Sequence, residues 1–220
     1  MRIRYKPWAR KELEESKFYR EHPEELIGKW KNEYARPEQP LFVELGCGKG
    51  GFISEKASLH PENNYLAIDL VDPMLGLAKR KVEEVYSEAD REIDNIILTR
   101  FDIERILLIL NKQDLVEGIY INFCNPWPRG KHHKKRLTYT RQLEHYKQFL
   151  KPGGKIYFKT DDDNLFEESI HYFEDTEFKI EKITRDLQKE PDFWENIETE
   201  HEKMFSEQGI KIKALIAKAK

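Results

Sequence analysis

Leu41-Phe42-Val43-Glu44-Leu45-Gly46-Cys47-Gly48-Lys49-Gly50-Gly51 decides the fold of this 220-residue chain. Leu41 to Leu45 reads as a short apolar strand, Gly46 to Gly51 as a glycine turn, and Phe52 to His60 as a helix stopped near Pro61. The pattern continues outward from there. Tyr65 to Leu70 is a second strand, Met74 to Tyr86 a helix with apolar residues at helical spacing, and Ile96 to Phe101 a third strand ending at Asp102. Residues 103 to 111 follow as a short helix, 118 to 124 as a fourth strand and 138 to 150 as a helix. Lys151-Pro152-Gly153-Gly154 is a stop, and Lys155 to Thr160 a fifth strand ending at Asp161. Strands alternating with helices about every thirty residues predict an α/β fold, a largely parallel sheet covered by helices on both faces. Past Asp163 the chain predicts a helix through Phe173, a strand at Lys179 to Thr184, an irregular stretch around Trp194 and a final strand at Ile210 to Ala217. Such a terminal pair is expected antiparallel at the sheet's edge. Residues 1 to 40 carry Pro7, Pro23, Pro37 and Pro40 and a basic start at Arg2, Arg4, Lys6, Arg10 and Lys11. They read as an N-terminal extension before a domain at 41–220.

Composition narrows the function classes. A formal net charge of −3 argues against a protein that coats nucleic acid over a broad cationic surface, so any nucleic-acid site must be local. With 36% charged residues, only clustering of basic residues carries information. The two cysteines, Cys47 and Cys124, have no partner at metal-ligand spacing, which points to no metal site, no disulfide framework and a reducing, cytoplasmic compartment. The N-terminus lacks an apolar signal core, and the longest aliphatic run, Ile106 to Leu110, is too short to cross a bilayer. No membrane association is expected.

Gly46, Gly48 and Gly51 satisfy G-x-G-x-x-G between strand and helix, with Asp69 beyond, so a dinucleotide site must be weighed. Glu44 decides against it. Its carboxylate lies at the end of the first strand, where a pyrophosphate would sit, and two unit charges ~4 Å apart at an effective dielectric near 20 interact by about 4 kcal/mol. That is repulsion for a phosphate and attraction for a cation. S-adenosylmethionine carries a sulfonium, an α-ammonium and no phosphate, and so matches the loop. A Walker A loop is excluded because no Gly-Lys-Ser or Gly-Lys-Thr follows the glycines. Asp69, ending the second strand, is placed to accept from both ribose hydroxyls. Asp102, after the third, is placed to accept from the adenine amino group.

Phe123-Cys124-Asn125-Pro126-Trp127-Pro128-Arg129-Gly130-Lys131-His132-His133-Lys134-Lys135-Arg136 is a stiff turn running into a cationic patch. The prolines end strand pairing and leave Asn125 at a strand's carboxyl end, where ligands bind in open α/β sheets. Arg129, Lys131, Lys134, Lys135 and Arg136 repel one another, a cost tolerated in water and offset by a bound polyanion.

These residues resemble the bacterial tRNA (guanine-N7)-methyltransferases. The resemblance runs from about residue 41 onward: the ELGCGKG loop, Asp69, the Asp102 region, NPWPRGKHHKKRL, Lys159-Thr160-Asp161 and the TETEHEKMF segment. It implies a Rossmann-like, seven-stranded S-adenosylmethionine-dependent methyltransferase sheet, mostly parallel with an antiparallel C-terminal edge strand. The activity implied is methyl transfer to N7 of a guanine in the tRNA variable loop, by a monomer or homodimer. By the same resemblance Glu44, Gly46, Gly48, Asp69, Asp102 and Asn125 are cofactor contacts. Arg129, Asp161, Thr199, Glu200, His201 and Glu202 are tRNA contacts, and Lys131, Lys134, Lys135 and Arg136 are expected on the tRNA backbone. The family usually has Asp-Pro-Trp-Pro-Lys where this chain has Asn125 and Arg129. An amide cannot act as a general base, but guanine N7 already exposes a lone pair, so Asn125 is assigned to positioning. Arg129 replaces an ammonium by a planar fork suited to phosphate or to the guanine O6 and N7 edge. Asp161 is suited to accept from guanine N1–H and N2–H, a role Glu202 is expected to share. Asp161, Asp162 and Asp163 point in different directions and make a poor metal cluster. The alternatives are a noncatalytic tRNA-binding protein of the same fold and an exocyclic-amine methyltransferase of the adenine-N6 type, which uses Asn-Pro-Pro-aromatic rather than Asn-Pro-Trp-Pro.

Overall fold

The structure, a computed structural model, describes residues 6–220; Arg2 and Arg4 of the basic start lie outside the described residues. The chain divides into two compact units, residues 1–114 and 115–220. In the first, α1 (Pro7–Glu14) precedes β1 (Tyr19–Arg20), β2 (Leu41–Leu45), α2 (Gly51–Leu59), β3 (Asn64–Asp69), α3 (Asp72–Glu88) and β4 (Ile96–Arg100). Its strands lie in the order β1-β4-β3-β2, all parallel. Leu41, Val43, Leu45, Leu66, Ile68 and Leu98 are completely buried, which is why these strands read as near-continuous apolar runs.

Residues 6–40 are packed into this unit. Ala9 on α1 is buried against α3 at Gly76, where an added Cβ would stand 2.7 Å from the Ala9 Cβ. Arg80 of α3 stacks its guanidinium 3.6 Å over the Trp8 ring. The Trp30 indole is buried and donates to Ile109 O at 2.7 Å, and the Tyr34 hydroxyl donates to Tyr65 O at 2.9 Å. The buried Asp114 carboxylate accepts from the backbone amides of Gly28 and Asn111 at 3.0 and 2.8 Å. Residues 103–108 form a 3-10 turn rather than the longer helix expected.

The second unit holds β5 (Val116–Asn122), α4 (Thr140–Lys147), β6 (Leu150–Thr160), α5 (Asp163–Asp175), β7 (Lys179–Thr184), α6 (Glu200–Glu207) and β8 (Lys213–Lys218). Its strand order is β5-β6-β8-β7, with β5 and β6 parallel and β8 antiparallel to both neighbours. Two expectations are corrected. The described residues form eight strands, not seven, because Tyr19–Arg20 adds β1 beside β4. The C-terminal strand is not at the edge: β8 lies one strand in and β7 lies outside it. The side chains explain the exchange. Ala214 and Leu215 are completely buried, whereas β7 (KIEKIT) exposes most of its residues and carries the lysines that discourage edge-to-edge pairing. Lys151-Pro152-Gly153-Gly154 does not stop the chain before β6 but forms an irregularity within it, where the register with β5 shifts.

Candidate functional site

In the first unit the candidate residues gather at the carboxyl ends of β2, β3 and β4. Gly46, Gly48 and Gly50 have φ of +80°, +55° and +79°, values that only glycine adopts without strain. Gly50, rather than Gly51, is the close-packing glycine: a Cβ there would lie 2.8 Å from the Ala78 Cβ on α3, whereas at Gly48 and Gly51 it would meet nothing within 4 Å. The backbone at Gly48 is thus open to a ligand while Gly50 seats the turn on α3. Gly50→Ala is expected to lower stability by roughly 2–3 kcal/mol, combining the left-handed penalty with overpacking. Gly48→Ala, which meets only the former, is expected to cost about 1–2 kcal/mol, and denaturant unfolding of the two variants checks the difference.

Glu44 is only 2% exposed, inside β2. Asp69 ends β3 half-buried; its Oδ2 accepts from Gly48 N at 2.9 Å and its Oδ1 from Val71 N at 3.0 Å. Burial pushes the Asp69 carboxyl up, against the backbone amides of Gly48, Val71 and Leu70, which hold it down. Asp102 uses Oδ1 to cap the 3-10 turn, accepting from Glu104 N at 3.0 Å. The Cys47 thiol is raised well above its ordinary value, first by burial and then by the negative charges of Asp69 and Glu44. The turn therefore sits in a negative field. That field and the open backbone at Gly48 fit the sulfonium and ammonium of S-adenosylmethionine and oppose a pyrophosphate.

In the second unit β5 ends at Asn122 and the chain turns sharply, with φ of +50° at Phe123 and +44° at Trp127. Positive φ at two bulky aromatic residues is backbone strain of the kind that collects at functional sites. Asn125 is exposed; its Oδ1 accepts from Trp127 N at 3.1 Å, which leaves its amide N–H₂ available. The Trp127 ring lies 5.8 Å from His132 and 5.1 Å from the Lys135 ammonium, folded over the basic stretch. Arg129, Lys131, Lys134 and Lys135 are exposed. Arg136 is not: it has no exposed surface, and its donors go to Pro126 O, Glu168 and Asn164. The expectation that Arg136 touches the tRNA backbone is therefore corrected, since a guanidinium sealed from solvent cannot reach a phosphate.

Asp161 follows β6 half-buried. Among the described residues its carboxylate makes no hydrogen bond or ion pair, while its backbone carbonyl accepts from Lys213 Nζ at 2.8 Å. Glu202 behaves otherwise. It is 2% exposed, its Oε2 accepts from Lys159 Nζ at 2.6 Å, and its Oε1 accepts from Asn196 Nδ2 at 2.6 Å. Lys159, completely buried, also donates to Asn196 Oδ1 at 2.8 Å and Ile197 O at 3.0 Å. Glu202 is thus the charge partner of a buried lysine, which corrects its expected role as an open acceptor for guanine. Thr199 caps α6, its hydroxyl accepting from Glu202 N at 3.1 Å. Glu200 is the first residue of that helix, and exposed His201 stacks on Phe123 at 6.0 Å. Thr-x-x-Glu is a helix-start signature, so α6 was readable at Thr199 and Glu202. Among the described residues no three His, Cys, Asp or Glu side chains gather as a metal site, and no helix is long and apolar enough to cross a membrane.

A family model described as "Putative methyltransferase" matches residues 38–215. Among solved structures, the 16S rRNA methyltransferase KamB superposes with a TM-score of 0.59 at 13% identity, over 82% of this chain and 88% of that one. Fold and match together define a methyltransferase with the Rossmann-like architecture. A tRNA (guanine-N(7)-)-methyltransferase from Clostridium beijerinckii is 57% identical over 217 residues, covering 99% of this chain and 98% of that protein. Another, from Clostridium perfringens strain SM101, is 53% identical over 218 residues and 99% of each chain. The chain belongs to the tRNA (guanine-N(7)-)-methyltransferase family.

Proposed function

We propose that this chain transfers the methyl group of S-adenosylmethionine to N7 of a guanine in the variable loop of tRNA, in the cytoplasm and without a metal ion. The observation that carries the reading is the acidic, open glycine turn, with Glu44 buried and Asp69 bonded to Gly48 N, in a chain 57% identical along its length to a tRNA (guanine-N(7)-)-methyltransferase. When bound, S-adenosylmethionine supplies an electrophilic methyl on a cationic sulfur. Glu44 favours the positive end of that ligand, and Gly46 and Gly48 let the backbone approach it. Asp69 keeps lone pairs for the ribose hydroxyls beyond those given to Gly48 and Val71, and Asp102 keeps Oδ2 for the adenine amino group.

On the substrate side, Asp161 accepts from guanine N1–H and N2–H, and Arg129 holds a phosphate or the O6 edge. The amide of Asn125 positions the reacting groups, while Thr199, Glu200 and His201 contribute to the tRNA surface. No proton must be removed before N7 attacks, because its lone pair is already exposed. In-line placement is the chain's main contribution to rate, and that suits an asparagine in place of an acid.

Incubating the full chain with labelled cofactor and unmodified bulk tRNA, followed by nucleoside mass spectrometry, tests the reading. N7-methylguanosine, with its fixed positive charge, is expected; N6-methyladenosine or no methylated nucleoside refutes it. The basic turn has its own test. Each phosphate contact contributes a slope of about −0.9 in log K against log salt on a duplex and about −0.7 on single strands. Neutralising Lys131, Lys134 and Lys135 together is expected to flatten the slope for tRNA by about 2–3. An unchanged slope removes these residues from the interface.

A further inference from the structure

We propose that Arg136 is a positioning residue, a buried fork that fixes the path of the turn from Asn125 to Lys135 and so determines where its exposed cations and Asn125 meet tRNA. The inference rests on the methyltransferase reading for its substrate and adds a residue that the reading does not assign. Arg136 Nε donates to Pro126 O at 2.7 Å, at the start of the turn, and one terminal nitrogen lies 3.1 Å from His133 Nε2, near its end. That same nitrogen also donates to Asn164 Oδ1 at 2.8 Å on α5, and the other terminal nitrogen donates to Glu168 Oε2 at 2.7 Å on the same helix. One side chain thereby joins both ends of the turn to a helix.

The turn needs such a joint. Arg129, Lys131, Lys134 and Lys135 repel one another, and among the described residues none of the four makes an ion pair. The backbone at Phe123 and Trp127 is held at positive φ, a conformation that persists only where the surroundings overdetermine it. The anchor is itself tied down by hydrogen bonds within α5. The Tyr172 hydroxyl donates to Glu168 Oε2 at 2.7 Å and Asn164 Nδ2 to Glu168 Oε1 at 3.0 Å. Burial alone would raise the Glu168 carboxyl, but these two hydrogen bonds and the charge of Arg136 hold it below the usual carboxylate range, so Arg136 faces a charged partner at neutral pH. Serving Pro126 O, Glu168, Asn164 and His133 together requires a planar guanidinium; an ammonium reaches one or two of them.

The test compares Arg136→Lys, Glu168→Gln and the unaltered full chain in methyl transfer to tRNA, cofactor binding and tRNA binding. Arg136→Lys keeps the charge and loses the fork. It is expected to lower kcat/KM for tRNA at least tenfold while cofactor affinity stays within twofold, and Glu168→Gln is expected to lower it severalfold. The double variant is expected to be little worse than Arg136→Lys alone, because both break one joint. If Arg136→Lys fails to fold, Glu168→Gln, which leaves Arg136 in place, carries the decision. A folded variant of either kind with unaltered kcat/KM overturns the proposal. If the unaltered chain transfers no methyl group, the methyltransferase reading fails separately. The proposal is then decided by tRNA affinity alone, where equal affinity of the unaltered chain and Arg136→Lys overturns it.

Discussion

Replacing Lys159 by methionine is expected to destabilise the second unit by about 3–5 kcal/mol, the usual cost of removing one partner from a buried ion pair. Lys159 and Glu202 side chains are 0% and 3% exposed, so neither the lost attraction nor the abandoned charge is relieved by water. Methionine fills a similar volume, which confines the effect to electrostatics and hydrogen bonding rather than a cavity. Glu202 would keep Asn196, but Asn196 Oδ1 and Ile197 O would lose a donor as well. The segment held by this network runs from Trp194, whose indole donates to Asn196 Oδ1 at 3.0 Å, to α6, where His201 and Phe205 pack near Phe123. Release of that segment is therefore expected with the loss of stability. Denaturant unfolding measures the first, and amide exchange across α6 the second. Lys159→Met combined with Glu202→Leu is expected to recover most of the loss, since an apolar pair leaves no orphaned charge. A single-variant cost below about 1 kcal/mol would mean that the pair behaves as a solvated surface bridge.

The contrast between Lys159 and the strands around it shows what could be read from residue order and what could not. Leu41 to Leu45, Tyr65 to Asp69 and Ile96 to Arg100 announce themselves because burial on both faces demands apolar runs, and the glycines after Leu45 can only be a turn. The strand at Tyr19–Arg20 is two residues long, and no pattern of period two can be recognised over that length. Pro7 at a helix start was a signal for α1, obscured by the charged residues that follow it. Arg136 and Glu202 failed for another reason. Charge counting treats every cation in a cluster alike, whereas burial depends on partners such as Glu168 and Lys159 that lie 32 and 43 residues away. A lysine directly after the apolar run Ile156 to Phe158, still within the strand, was the one local hint, because a buried ammonium requires an acid brought from elsewhere. The positions of Glu44 and Asp69 were legible since strand ends place them, and their burial and bonding to the glycine turn came only with the fold.

Asp161→Ala is expected to reduce kcat/KM for tRNA about a hundredfold, with cofactor affinity and stability nearly unaltered. The asymmetry follows from where the side chain stands. Its carboxylate makes no hydrogen bond or ion pair among the described residues, and the anchor of this chain end is the backbone carbonyl that accepts from Lys213, which alanine keeps. Truncation therefore removes nothing the folded chain uses. What it removes, on the proposed reading, is the acceptor for guanine N1–H and N2–H, two charge-assisted bonds of about 1.5–3 kcal/mol each, and about 2.7 kcal/mol already corresponds to a hundredfold. Steady-state methyl transfer with calorimetry of cofactor binding measures both halves of this expectation. Unchanged turnover would take Asp161 out of the guanine site. A sharper form uses tRNA with inosine at the target position, which lacks only the N2 amino group. The unaltered chain should lose roughly tenfold or more on that substrate, whereas Asp161→Ala should treat the two tRNAs alike, because it has no acceptor left to be abandoned. Equal penalties in both proteins would mean that the amino group is recognised by another residue, and a penalty confined to the unaltered chain would tie guanine selection to this one carboxylate.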